Sequence, residues 1–75
     1  MSSTDLSNAQ KIAIINAHIT ELKAEQYSHE IRKIELETIS STDNEIYLNI
    51  VRIIGDYDLQ ISTLESLRSN LPEWI

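Results

Sequence analysis

Between Glu45 and Leu71, apolar residues recur at steps of three and four: Ile46, Ile50, Ile53, Ile54, Tyr57, Ile61, Leu64, Leu67 and Leu71. At about 100° per residue they fall within roughly 140° of one another, the stripe of an amphipathic helix. A strand is the competing assignment, because Ile46 to Ile54 is rich in β-formers. Alternation fails there, since Ile53 and Ile54 are adjacent, and the stripe runs on far past ordinary strand length. The spacing predicts a helix over about 43–70, stopped by Pro72, which disfavours helical geometry at Leu71.

The first half of the chain carries a second helical pattern, in two phases. Ser7-Asn8-Ala9-Gln10 fits a capping box, and no Pro or Gly interrupts the chain from there to about residue 40. A helix over about 7–40 is expected, roughly 50 Å long. Ile12, Ile15, Ile19 and Leu22 form one stripe; Ala24, Tyr27, Ile31 and Ile34 form another, rotated by roughly 110°. The five-residue step from Leu22 to Tyr27 resembles a skip in a coiled-coil repeat and predicts different neighbours for the two halves.

Ser40-Ser41-Thr42-Asp43-Asn44 separates the helices with residues that bond their own backbone and compete with helix. Thr42 to Glu45 reads as a capping box with Thr42 as the cap, and Asp43 adds negative charge at the positive helix end. So short a turn, at about 40–44, makes the helices antiparallel neighbours. The expected fold is all-α: one domain over residues 1–75, a helical hairpin of two long antiparallel helices with a tail at 71–75. A lone hairpin leaves the second phase of helix 1 and the outer face of helix 2 wet. Dimerisation into a four-helix bundle is the economical remedy. Its expected core is Ile12, Ile15, Ile19, Leu22, Tyr27, Ile31 and Ile34 with Ile46, Ile50, Ile53, Ile54, Tyr57, Ile61, Leu64 and Leu67.

Composition narrows the classes. With 75 residues, one Gly and one Pro, the chain has room for one small helical domain. It has no Cys, hence no disulfide or thiolate metal site, and its N-terminus lacks the basic and apolar regions of a secretory signal. A cytoplasmic location is the expectation. No apolar run approaches the roughly 20 residues that span a bilayer. The net charge of −6 repels phosphate backbones and anionic lipid, so neither direct nucleic-acid binding nor membrane binding is expected.

Candidate chemistry is sparse. His18, Glu25 and His29 share a predicted helix face with Ile14, Glu21, Arg32 and Leu36, and could supply nitrogen and oxygen ligands to a metal. The reading preferred over a metal site is a solvated face, with Glu25 and His29 an ordinary i,i+4 pair, because the paired Glu-x-x-His motifs of di-metal bundles are absent. No nucleophile stands beside a base and an orienting group, and no glycine-rich loop can cradle phosphate. Glu35 and Glu37 diverge around Leu36, as Asp56 and Asp58 do around Tyr57, and a slim hairpin offers no evident concave pocket. No catalytic residue, metal or cofactor is expected, and the chain is read as not an enzyme.

Gly55 says more. In a helix interior it costs up to about 1 kcal/mol relative to Ala, and Leu48, Val51 and Leu59 surround it on the outer face of helix 2. Cost and apolar neighbours together suggest a second contact there. Trp74 and Ile75 either anchor a partner or fold over the hairpin's own end. The reading is a non-enzymatic interaction module (regulator, adaptor or assembly factor) whose partners are a second copy and another protein. Its binding residues are Leu48, Val51, Gly55, Leu59, Trp74 and Ile75. The alternative is a small acidic inhibitor of the phage type, a decoy that mimics nucleic acid. A decoy needs its acids on one face, and those of helix 1 scatter around the wheel.

Overall fold

Ser7 starts the first helix as the pattern predicts. Its hydroxyl accepts from the Gln10 amide at 3.1 Å, while the Ser7 amide donates to the Gln10 side chain at 2.8 Å. The computed structural model describes residues 6–72, and over them the chain forms two helices, α1 (Asn8–Thr38) and α2 (Glu45–Ser69). No strand occurs among the described residues. The β-formers at the start of α2 are overridden by its continuous apolar stripe.

The turn corrects one expectation. The cap of α2 is Asn44, not Thr42: the Asn44 side-chain oxygen accepts from the Tyr47 amide at 2.9 Å. Its amide nitrogen donates backwards to the Ser41 carbonyl and hydroxyl, at 3.1 and 2.8 Å. One side chain therefore closes the turn from both directions, which a Thr hydroxyl two residues earlier cannot do. Upstream, α1 ends in a Schellman pattern: the Ser40 amide donates to Glu37 and the Ser41 amide to Leu36, with Ser40 at φ 56°. That left-handed position usually holds Gly, and Ser occupies it here at some steric cost.

The second correction concerns the face that α1 buries. Its buried and half-buried positions include Ile12, Ile15, Ile19, Leu22, Gln26, His29, Lys33 and Leu36, an unbroken alternation of three- and four-residue steps, with Asn8, Lys11 and Glu30 half-buried as well. In α2 and its cap the same alternation runs through Tyr47, Ile50, Ile54, Tyr57, Ile61, Leu64 and Arg68 to Leu71. This is the seven-residue repeat of a coiled-coil seam. There is no skip after Leu22. The seam instead continues through polar residues, while Tyr27, Ile31 and Ile34 remain on the outside. Leu36 and His29, expected on a solvated face, belong to the seam.

The interior is thin. Ile15, Ile19 and Ile61 form the central cluster, with Leu22, Leu64 and Leu71 packed against it at the open end. Leu36 and Ile50 are buried near the turn, and among the described residues no large side chain is fully enclosed. The molecule is a rod of 52 × 21 × 15 Å with a radius of gyration of 16.9 Å. A globular chain of this length would have about 11 Å.

Two substitutions test the turn by chemical denaturation. Asn44→Ala should destabilise by about 1 kcal/mol, whereas Thr42→Ala should shift the midpoint by less than about half of that. Ser40→Gly should stabilise by up to about 1 kcal/mol by relieving the left-handed conformation.

Candidate interaction surface

Four side-chain bridges fix how the helices face each other. The Arg68 guanidinium donates to Asn16 at 2.7 Å, and the Tyr47 hydroxyl to Glu37 at 2.7 Å. Between them the Gln26 amide donates to Asp58 at 2.7 Å and to the Ile54 carbonyl at 3.0 Å. Each step outward along one helix is matched by a step inward along the other, so the pair is antiparallel. By the seven-residue repeat these three bridges cross the same side of the hairpin. The fourth crosses the opposite side: the Tyr57 hydroxyl donates to Glu25 at 3.1 Å, beside the His29 ring 5.6 Å away.

Proximity tunes the charged groups at the turn end. The Lys33 ammonium, 2.9 Å from Glu37, and then the Tyr47 hydroxyl hold the Glu37 carboxyl below its ordinary pKa. Reciprocally, the hydrogen bond with Glu37 raises both Lys33 and Tyr47. Partial burial pushes the Tyr57 hydroxyl up, and its bond to Glu25 adds to the rise. These are structural bridges along a seam.

The metal candidates do not assemble. His29 lies in the seam against Tyr57, Glu25 accepts from that same Tyr57, and His18 is exposed. Among the described residues no three His, Asp or Glu side chains gather as a ligand set. A shallow concavity does exist, contrary to expectation: an open groove of about 410 Å3 near the open end, lined by Leu6, Lys11, Ile14, Ile15, Leu67 and Leu71. Its polar lining is one lysine. No described helix is long and apolar enough to cross a membrane.

Of the expected contact residues, Leu48 is 61 % exposed, Leu59 69 % and Val51 41 %. Gly55 is exposed too, and a Cβ added there would meet nothing within 4 Å. The close approach anticipated at Gly55 therefore does not occur inside the hairpin. Trp74 and Ile75 lie outside the described residues. The expected bundle core divides in two. Ile12, Ile15, Ile19, Ile50 and Ile61 are buried within the hairpin, and Leu22, Ile53, Ile54, Tyr57 and Leu64 are half-buried. Tyr27, Ile31, Ile34, Ile46 and Leu67 stand exposed.

Sequence reasoning missed the polar seam residues Gln26, Lys33, Tyr47 and Arg68. The available signal was their spacing, which continues the apolar repeat at the same intervals. Set against models of known protein families, characterised proteins and solved structures, the chain found no match in any of the three.

The bridges predict a two-sided pH dependence of the melting temperature. Glu37 contributes stability that is fully present above its ordinary value of 4.5 and is lost as pH falls through its lower folded value. Tyr47 contributes stability that is present below 10.0 and is lost as pH rises through its raised folded value. Glu37→Gln should flatten the acid limb and Tyr47→Phe the alkaline limb, as read by thermal scans across pH.

Proposed function

We propose that the chain is a non-enzymatic protein–protein interaction module: a helical hairpin that pairs with a second copy into a four-helix bundle and offers its remaining helix surface to another protein. A small regulator, adaptor or assembly factor works in this way. One observation carries the reading. Large apolar side chains stand outside the seam on both helices, Tyr27 and Ile34 on α1 and Leu48 and Leu59 on α2, while the seam itself takes in Gln26, His29, Lys33 and Arg68. Scattered exposed leucines are ordinary on a protein surface. An inversion that sends apolar groups out and polar groups in is the mark of a face meant to be covered.

Sedimentation equilibrium tests the reading directly. The protein should be dimeric or larger at micromolar concentration, with a mass that hardly responds to added salt because the contact is apolar. A stable 8.6 kDa species across that range would contradict it.

A further inference from the structure

We propose that the groove at the open end of the hairpin is the docking site of the chain's own Glu73-Trp74-Ile75 segment, with the Trp74 indole laid between Ile14 and Leu67. The inference concerns contacts within one chain and stands whether or not two copies associate.

The groove is a product of register. By the seven-residue repeat, Lys11, Ile14 and Leu67 flank the seam on the side crossed by the bridge from Tyr57 to Glu25. Ile15 and Leu71 line it from the central cluster, and Leu6 from just ahead of the α1 cap. Leu6, Ile14 and Leu67 are 40, 47 and 49 % exposed, so large apolar side chains stand open to solvent around a concavity. Its volume of about 410 Å3 is in the range that holds a small organic ligand.

Three observations make this segment the occupant. The first is position. Leu71 lines the groove, packs against the central cluster, and donates its amide to the Arg68 carbonyl at 3.1 Å, so the chain passes beyond the described residues from a point already held at the rim. Trp74 is three residues past Leu71, within about 11 Å of it even at full extension, and Pro72 narrows the directions between them. The second is chemical fit. The lining is apolar except for Lys11, which is half-buried and, among the described residues, in no ion pair. Glu73, Trp74 and Ile75 place a carboxylate beside two apolar side chains, the complement of that lining. Residues 1–5, the other segment within reach, offer one Met among Ser, Thr and Asp. The third is openness. An enclosed apolar pocket would leave the indole N–H unpaired, whereas an open groove buries the rings and keeps the N–H in water. Docked there, Trp74 extends the apolar stretch of Ile15, Ile19 and Ile61 to the end of the hairpin, and serves this chain instead of anchoring another protein.

Trp74 is the one Trp of the chain, so its fluorescence in the full-length protein reports the contact directly. Its emission should lie to the blue of the urea-unfolded chain, and acrylamide should quench it several-fold less. Neither should change with protein concentration, with mass followed by sedimentation equilibrium. Ile14→Glu and Leu67→Glu replace partly exposed side chains and should stay helical by circular dichroism, yet return emission and quenching to the unfolded values. Leu48→Glu, also on the surface but at the turn end of the rod, should leave both unchanged. As a second measure, the fall in melting temperature caused by Trp74→Ala should largely vanish in a Leu67→Ala background. A solvated Trp74 in the wild type overturns the proposal, whether residues 1–5 or another protein fill the groove instead. Protection that appears only as the mass rises assigns the groove to the tail of a second copy and overturns docking within one chain. Protection that survives Ile14→Glu and Leu67→Glu overturns the choice of groove. A monomeric wild type with a protected Trp74 contradicts self-association and supports this inference.

Discussion

Two helices can shelter only one stripe of each other, and in this hairpin the middle of the stripe that α1 offers is polar. Gln26, His29 and Lys33 occupy positions that the repeat reserves for apolar side chains. They are tolerated because each finds something to do: Gln26 bridges to Asp58 and to a carbonyl of α2, His29 lies against the Tyr57 ring, and Lys33 pairs with Glu37. Among the described residues no buried side-chain polar atom lacks a partner. Polar groups at such positions specify register at the expense of stability, since they bond in only one alignment. The fold follows from that trade: a well-defined antiparallel pair with a thin core.

This constraint also decides what was legible in the sequence. The stripe of α2 could be read because Ile50, Ile54, Tyr57, Ile61 and Leu64 are all apolar and all in the seam. In α1 the repeat passes silently through Gln26, His29 and Lys33, whereas Tyr27, Ile31 and Ile34 step at three and four on the outside. Hydrophobic periodicity follows the louder signal, so it places a break after Leu22 and leaves Leu36 on the wrong face. Adding polar residues that could bridge would have restored the repeat. The turn shows a related ambiguity. Thr42 and Asn44 are both good caps, and only geometry reveals that Asn44, bonding to Ser41 and to Tyr47, closes both sides of the connection.

The candidate surface was half legible. Leu48, Val51, Gly55 and Leu59 stand out on a wheel of α2 alone, because a glycine in a helix interior needs a reason. What no single wheel supplies is the pairing of α1 with α2. Register turns the leftover residues of two helices into one patch, and register is set here by Gln26, Asp58, Tyr47 and Glu37, which have no apolar signature.

Outer face and seam are therefore not independent. The bridges from Gln26 to Asp58 and from Tyr47 to Glu37 lie in water at the edge of the patch, where screening keeps each of them weak. The open half, with Ile15, Ile19 and Ile61 at its centre and Leu22, Leu64 and Leu71 around them, has the better core of its own. It gives the pair its apolar anchor, while the turn half is held by Leu36, Ile50 and its polar bridges.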